Sequence, residues 1–316
     1  MSPTRRHAAL GLMAAAAVLP ATRAVAQDNS APPQLELPDE DHPPTELAAR
    51  QDKNEHLLAP VTINEQGPFN FLLDTGANVS CVSHRLMERL ALKPGETALV
   101  HTVVGARERP VVTLDRLQVG PRDRRRVRAP ALPLKGPEVD GILGVDWLKG
   151  QRLVLDFKHS RLEITRSQSD SPEPGRVVVV PARRRKGQLT IVDADLSGSK
   201  ISAIIDSGAQ GTLCNLKLRD LARSQEMRRG EPQAPQYVQM ESLAGERFTG
   251  EAVFLPFLRL GGLHLGNVPV TCADMHVFDI WGLKEVPALV LGMDLLRQFE
   301  QVALDFGRSQ VRFDFI

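Results

Sequence analysis

The sequence predicts a mainly β protein in which one domain occurs twice. The motif Asp-Thr-Gly-Ala at residues 74–77 returns as Asp-Ser-Gly-Ala at residues 206–209, and each copy follows an apolar, β-prone run. A second motif, two apolar residues followed by Gly, recurs at residues 142–144 and 290–292. Because there are only two long copies, the repeat indicates a duplicated domain and not a solenoid.

The repeated tetrapeptide predicts a carboxylate at the mouth of a tight turn. The following Thr or Ser supplies a hydroxyl, and Gly lets another backbone approach closely. One Asp-Gly turn carries little information, because such turns are common and mostly structural. Two copies at matching places in a longer repeat indicate that Asp74 and Asp206 share a chemical role.

The first half is predicted to occupy residues 57–166. A hairpin over residues 61–73 has its turn at residues 64–68, where Gly and Pro occur together. Ser83 is positioned to cap a short helix that ends at Leu90, since a Ser side chain accepts hydrogen bonds from the backbone of a first helical turn.

Each half carries a further hairpin downstream of its Asp-Gly turn. In the first half, strand-like residues 100–104 and 110–114 flank a turn at residues 105–108. In the second half, residues 241–246 take the same place. From the residues alone, an ordinary surface hairpin and a cover over a cleft look the same.

The second half is predicted over residues 176–316, after a Ser- and Pro-rich linker at residues 167–175. It opens with an apolar strand and a turn at residues 183–187. Asn215 is placed to cap a helix that runs to about Arg228. Strand signals separated by turn residues dominate both halves, so the predicted class is mainly β.

The N-terminal residues 1–26 are interpreted as a secretory signal and excluded from the fold. Paired arginines precede an apolar stretch at residues 8–19, and a small-x-small site places cleavage before Gln27. The arginines also suggest the twin-arginine export route. An uncleaved anchor is the alternative, although the stretch is short for a membrane span. We therefore predict an exported protein, periplasmic or secreted, with no membrane segment after signal removal.

Residues 27–56 are predicted to form an acidic, Pro-rich leader. Eight acids, two bases and five prolines fall within residues 28–55, which is typical of a disordered segment with at most a short helix at residues 46–53. A pro-segment lying across the basic remainder of the chain is the alternative interpretation.

Composition argues against nucleic-acid binding. Basic runs occur at residues 122–128 and 183–186, but aromatic residues make up only 4% of the chain and none interleaves with the arginines. We interpret these runs as solvated hairpin turns, with a lipid headgroup or cell-wall contact as the lesser alternative. No metal or cofactor is predicted, because the histidines are scattered and phosphate-loop, dinucleotide and zinc-peptidase motifs are missing.

The three cysteines have no metal-ligand spacing. Export would allow one pair to oxidise, and Cys214 and Cys272 share a half, whereas Cys81 is predicted to be a small buried apolar residue. Six further aspartates lack the repeated turn motif and are interpreted as turn or cap residues: Asp115, Asp140, Asp146, Asp156, Asp294 and Asp305.

On both motifs in both halves, residues 57–316 resemble the aspartic peptidases of the pepsin and retropepsin type. The chain is most similar to bacterial exported retropepsin-like proteins that carry both aspartates on one chain. This resemblance implies two β-barrel-like lobes related by a pseudo-twofold axis, with the apolar-apolar-Gly segments packed beneath the catalytic loops. It also implies a flap over a bound peptide, with these candidate residues: Val104, Gly105, Ala106, Ala244 and Gly245.

The resemblance implies that Asp74 and Asp206 meet in a cleft. Two adjacent carboxylates share one proton, because ionising both is costly. The ionised member then acts as a general base on a water, and the protonated member polarises the peptide carbonyl. Two hydroxyls and two glycines would support this pair, the hydroxyls by bonding across to the opposite turn: Thr75, Ser207, Gly76 and Gly208.

Three hypotheses follow for the function. The first is an exported aspartic endopeptidase that acts on polypeptide substrates as a monomer with an intramolecular dyad. The second is a catalytically inactive peptide-binding module of the same fold in the cell envelope, disfavoured because both aspartates and both hydroxyls are present. The third is an envelope-associated structural protein, which has no need for the paired motif. Tyr237 is the only tyrosine and lies in the second half, so a pepsin-like flap tyrosine is missing from the first.

Overall fold

The computed structural model describes residues 10–12, 17–19, 45–48, 50–51, 57–136, 138–185, 187–230 and 233–315. Most of the predicted signal segment and of the predicted leader lies outside these residues. Within the part of the leader that is described, residues 45–48 form a strand, so the short helix predicted at residues 46–53 is wrong there.

The first half of the chain contains strands, one helix and one 3₁₀ helix. Its strands are β1 (Leu10–Leu12), β2 (Ala17–Leu19), β3 (Thr45–Ala48), β4 (Arg50–Gln51), β5 (Leu57–Ile63), β6 (Gln66–Leu73), β7 (Cys81–Ser83), β8 (Pro94–His101), β9 (Ala106–Val119), β10 (Arg122–Leu132), β11 (Gly141–Leu143), β12 (Gln151–Asp156) and β13 (Arg161–Arg166). Helix α1 spans His84–Arg89, and the 3₁₀ helix spans Val145–Leu148.

The second half repeats this order with a longer helix. Its strands are β14 (Val177–Arg185), β15 (Gln188–Leu196), β16 (Ser199–Ile205), β17 (Leu213–Cys214), β18 (Gln236–Ser242), β19 (Arg247–Leu260), β20 (Leu263–Cys272), β21 (Ala288–Leu291), β22 (Gln301–Asp305) and β23 (Gln310–Asp314). Its helices are α2 (Leu216–Arg229), α3 (His276–Ile280) and α4 (Met293–Leu296).

Each half closes into a six-stranded β-barrel, which gives the two-lobed acid-protease fold that the sequence predicts. The first barrel has the order β5-β6-β11-β7-β10-β9 and closes where Val61 pairs with Val119. The second has the order β15-β16-β21-β17-β20-β19 and closes where Ala194 pairs with Leu260. Closure removes the unpaired strand edges that an open sheet of this size would expose.

A six-stranded sheet of order β14-β23-β22-β12-β13-β3 joins the two lobes. Strand β12 of the first half pairs antiparallel with β22 of the second, with Leu153 opposite Leu304. These two side chains are fully buried, in one apolar cluster that also holds the inward residues of both barrels. The lobes therefore share a core, so their relative position is set by buried apolar surface.

The helix caps agree with the sequence prediction, whereas the first hairpin turn and the placement of the basic runs in turns were wrong. Ser83 accepts from the Leu86 N–H at 3.0 Å and Asn215 from the Leu218 N–H at 2.9 Å. The first hairpin turns at Asn64 and Glu65 alone, both with positive φ, because a two-residue turn of this kind matches the twist of its strands. The basic runs lie mainly in strands β10 and β14 and not in turns, with several arginine side chains facing solvent.

Two cysteines form a disulfide in the second lobe. Cys214 on β17 is bonded to Cys272 on β20, and the two strands pair in parallel. Strand β17 is the first strand after the second Asp-Gly turn. Cys81 is a free thiol that is fully buried, as predicted, and burial raises its pKa well above the usual range. Within the described part of the chain, no helix is both long enough and apolar enough to span a bilayer.

Candidate active site

Two parallel strand pairs deliver the two Asp-Gly turns. Strand β6 ends immediately before Asp74 and runs parallel to β11, so the Asp74 N–H donates to the Leu143 carbonyl at 3.0 Å. Strand β16 ends before Asp206 and runs parallel to β21, with the Asp206 N–H donating to the Leu291 carbonyl, also at 3.0 Å. The two repeated motifs of each half thus lie side by side.

Reciprocal hydrogen bonds join the two turns across the lobes. The Thr75 hydroxyl donates to the Ile205 carbonyl at 2.9 Å and accepts from the Ser207 N–H at 3.0 Å. The Ser207 hydroxyl donates to the Leu73 carbonyl at 2.9 Å and accepts from the Thr75 N–H at 3.1 Å. Both side chains are buried, so these bonds work without competition from water and hold the loops in a fixed relation.

The glycines of the motif are required by close packing against the opposite carboxylate. A Cβ atom added at Gly76 would overlap the Asp206 carboxylate, and one added at Gly208 would overlap that of Asp74. The Gly76 N–H donates to Asp74 Oδ1 at 2.8 Å and to Asp206 Oδ1 at 3.2 Å. The structure therefore brings together Asp74 and Asp206, which lie far apart in the sequence.

The two carboxyl groups lie in different electrostatic environments. Asp74 is fully buried, and burial raises its pKa well above the usual range, with the charge of Asp206 and a hydrogen bond to it adding to the rise. Burial also raises the pKa of Asp206, but there the hydrogen bond from Asp74 and backbone N–H groups act in the opposite direction. The pKa of both carboxyl groups is therefore raised, which favours a single proton held by the pair.

Behind each turn, a hydroxyl–carboxylate pair fixes the apolar-apolar-Gly segment. In the first lobe, Ser80 donates to Asp146 Oδ1 at 2.9 Å and accepts from the Gly144 N–H at 3.1 Å. In the second, Thr212 donates to Asp294 Oδ1 at 2.7 Å and accepts from the Gly292 N–H at 3.2 Å. Each pair therefore joins the segment that follows an Asp-Gly turn to the apolar-apolar-Gly segment of the same lobe.

The interpretation of Asp146 and Asp294 as mere turn or cap residues was incomplete. Each carboxylate is substantially buried, which raises its pKa, while the bonds from Ser80 or Thr212 act against that rise. A signal was present in the sequence: the hydroxyl residue follows each motif aspartate at one spacing, and the aspartate follows each Gly at one spacing. Gln188, whose Nε2 donates to the Gly76 carbonyl at 3.1 Å, had no such signal.

The first flap is the β8–β9 hairpin, whose turn spans residues 102–105. The predicted turn at residues 105–108 was wrong, because Ala106 already starts β9 and the Thr102 side chain closes the turn on Gly105. Val104 is 40% exposed at the tip. Val103 points inward and belongs to one apolar cluster with Ala209, beside the second Asp-Gly turn.

The second flap is the β18–β19 hairpin, whose turn at residues 243–246 carries Ala244 and Gly245 as predicted. The Lys135 N–H donates to the Leu243 carbonyl at 2.6 Å. Leu243 belongs to one apolar cluster with Ala77, beside the first Asp-Gly turn. The tip of each hairpin therefore packs on the opposite lobe, next to that lobe's Asp-Gly turn.

The outer edges of both flaps pair with extended segments. Strand β1 runs parallel to β18, with Leu10 opposite Met240. Strand β2 runs antiparallel to β8, with Ala17 opposite His101. The outer backbone groups of both flaps thus have a geometry that an extended chain satisfies. Among the described residues, no group of three or more His, Cys, Asp or Glu side chains is arranged to hold a metal ion.

Two β-barrels with paired carboxylates at their junction define a two-lobed acid protease fold. The chain belongs to the aspartyl protease family, whose model matches residues 59–147 and 192–295. Each matched segment contains one Asp-Gly turn and one apolar-apolar-Gly motif. No curated protein matches the chain.

Proposed function

We propose that the chain is an exported aspartic endopeptidase that hydrolyses peptide bonds with Asp74 and Asp206. One observation carries the proposal: the two buried carboxyl groups meet at the lobe junction, held by the reciprocal bonds of Thr75 and Ser207. A purely structural role gives no reason to bury two acids side by side, since desolvating them is costly.

We assign the roles from the stronger causes that raise the pKa of Asp74. Ionised Asp206 takes a proton from a water as the water oxygen attacks the peptide carbonyl carbon. Protonated Asp74 donates a hydrogen bond, and then its proton, to the carbonyl oxygen, which gives a neutral tetrahedral diol. Collapse of the diol returns a proton to Asp74, the proton held by Asp206 passes to the leaving nitrogen, and the C–N bond breaks. The pair ends with one shared proton, as it began.

The flaps support a polypeptide as the substrate class. With residues 1–26 removed, an extended peptide would pair with the outer edges of β18 and β8, which the segments Leu10–Leu12 and Ala17–Leu19 occupy in this structure. The inward residues Val103 and Leu243 lie in apolar clusters next to the two turns. Substrate entry requires the flaps to lift, which would free apolar surface for side chains on either side of the cleaved bond.

Export is part of the proposal. It is supported by the signal-like residues 1–26 and by the Cys214–Cys272 disulfide, since disulfides persist mainly in oxidising compartments. We expect the mature protein to begin at Gln27 and to act as a monomer, because both aspartates lie on one chain. N-terminal sequencing of the protein recovered from the envelope fraction and the medium checks the start, and a mature chain that retains residues 1–26 would contradict it.

The test compares wild type with Asp74→Asn and Asp206→Asn on a mixture of unfolded proteins, with new N-termini identified by mass spectrometry. Asp115→Asn, an exposed change on β9, is the matched control. Cleavage by wild type and control, lost in both dyad variants, supports the proposal. Peptide binding without cleavage by wild type would favour the inactive binding module.

A further inference from the structure

Two histidines from opposite lobes meet where the first flap rests on the second lobe. His101 is the last residue of β8 in the first flap, and His276 is the first residue of α3. His101 Nδ1 lies 2.9 Å from His276 Nε2. The two rings are stacked, with centroids 5.2 Å apart and planes 18° apart.

This hydrogen bond has a strict requirement for protons. One of the two facing nitrogens must carry hydrogen and the other must present a lone pair. When both rings are protonated, two N–H groups face each other and the centres of two positively charged rings lie 5.2 Å apart. The contact then becomes repulsive. The closed contact therefore exists only while at least one ring is neutral.

The surroundings of His101 also disfavour its charged form. The residue is only 8% exposed, and its Nε2 has no hydrogen-bond partner among the described residues. A proton added there would create a buried N–H without an acceptor. Burial, with His276 as the second cause, lowers the pKa of His101.

The charged groups on the neighbouring elements do not reverse this effect. Opposite His101 on β9 lies Ala106, and the adjacent Arg107 folds back to donate to the Ala106 carbonyl at 2.9 Å. On α3, Asp279 is paired with Lys284 at 3.0 Å, and Asp274 precedes the helix. Strand β2, which pairs with the end of β8, has the uncharged sequence Ala-Val-Leu. None of these groups contributes to the shift of the His101 pKa.

We propose that His101 and His276 form a pH-sensitive latch, which holds the first flap on the second lobe at neutral pH and releases it on acidification. The latch controls the position of the first flap. Only its consequence, the control of substrate entry, rests on the proposed function. The contact itself is independent of catalysis. No metal, ligand or second chain is needed.

The direction of the pH effect follows from proton linkage. The ordinary pKa of His is 6.5, and the closed flap lowers that of His101. Protons therefore bind the open flap more tightly than the closed one. Closure is fully favoured above about pH 6.5 and weakens as the pH falls below that value, by up to about tenfold in the closing equilibrium for each unit of pH until the lowered pKa is passed.

The second flap provides an internal comparison. Its strands and turn, residues 236–260, contain no histidine, and the Lys135–Leu243 backbone bond holds its tip. Neither group of that bond titrates near neutral pH. Acidification should therefore open the first flap and leave the second unchanged.

The test is amide hydrogen exchange by mass spectrometry from pH 7.5 to pH 5, with rates corrected for intrinsic chemical exchange. The full chain carries Asp74→Asn and Asp206→Asn together, so that neither member of the carboxylate pair titrates. We expect exchange of residues 98–108 to rise at least several-fold, with residues 239–248 unchanged. His101→Gln, which keeps a polar side chain but does not titrate, should remove the pH response, and His276→Gln should weaken it. His264→Gln, an exposed change on β20, should retain it.

Two results would overturn the latch: a first flap as insensitive to pH as the second, or a His101→Gln variant with the wild-type response. If His101→Gln does not fold, His276→Gln keeps the test decisive, because it removes the ring that faces His101, and an undiminished response would contradict the latch. These outcomes do not depend on peptide cleavage. A chain that cleaves nothing but opens its first flap in acid would contradict the proposed function alone.

Discussion

Thr75 and Ser207 bind each other's loops in a closed, reciprocal set of four hydrogen bonds, although they lie 132 residues apart in the chain. Each hydroxyl reaches the carbonyl that precedes the opposite aspartate. The position of each carboxylate is therefore set by a residue of the other lobe. Neither lobe alone has a complete site.

Removing one hydroxyl should loosen the pair. Thr75→Val keeps the side-chain shape but leaves the Ile205 carbonyl and the Ser207 N–H without their partner, at about 1–3 kcal/mol for each buried group. We expect a lower free energy of unfolding in urea and a reduced kcat. Thr75→Ser retains the hydroxyl and should keep most of both. Equal loss in the Ser and Val variants would show that the methyl group matters more than the bonds.

Neutralising either aspartate should abolish cleavage, and the effects should not add. Asp74→Asn and Asp206→Asn each destroy the shared-proton pair, so the double variant should be no less active than either single one. The measurement is kcat/KM on a peptide found to be cut by wild type. Residual activity of a few per cent or more in either single variant would contradict the dyad.

The variant Asp74→Asn should be more stable than wild type at neutral pH. The pKa of Asp74 is raised in the folded protein, so the stability contributed by its neutral form is fully present below the unfolded pKa and is lost as the pH rises towards the folded value. Asn carries no proton to lose. Asp74→Asn should therefore raise the Tm at pH 7 and have little effect at pH 3, with Asp115→Asn as the control. A lower Tm at pH 7 would contradict the assignment.

Cleavage should extend closer to neutral pH than in a pepsin. Activity requires Asp206 ionised and Asp74 protonated, and the raised pKa of Asp74 moves the upper limb of the profile upward. Ala77 and Ala209 follow the two motif glycines. Neither has a hydroxyl that could donate to an ionised aspartate and so lower its pKa. Ala77→Thr should lower the limbs of a kcat/KM profile. A wild type active only in strong acid would refute this explanation.

The hydroxyl–carboxylate pairs behind the turns should act as positioning groups. Thr212→Val leaves Asp294 and the Gly292 N–H without their buried partner, so we expect kcat to fall with little change in KM. Thr212→Ser should restore kcat. A change confined to KM, or no recovery with Ser, would show that the pair does not position the second turn.

The linker should contribute to stability through one buried side chain. Asp170 accepts from Arg152 and from Arg312, each at 3.1 Å, and its side chain is 3% exposed. Removing one partner of a buried ion pair costs about 3–5 kcal/mol, so Asp170→Asn should lower the Tm clearly. Asp193→Asn breaks the exposed pair with Arg259 and should have little effect. Similar losses in both variants would contradict a buried role for the linker.

The local sequence pattern was sufficient to predict those features whose structure depends on one short segment. The repeat, the β class and the two helix caps at Ser83 and Asn215 could all be predicted, because each depends on residue types within a few positions. Turn boundaries were less well predicted. Strands β6 and β9 begin earlier than their Gly and Pro residues suggest, since pairing with neighbouring strands outweighs local turn preference.

The sequence by itself determined which residues form the site: the repeat marks Asp74 and Asp206, and the resemblance supplied their partners. Only the tertiary structure decided which atoms meet. The bond from the Gly76 N–H to Asp206 Oδ1, the bond from Gln188 to the Gly76 carbonyl and the His101–His276 contact each join residues from different lobes. Such contacts depend on how two barrels pack around a common core, and that packing is a property of many distant side chains together, so no local pattern records it.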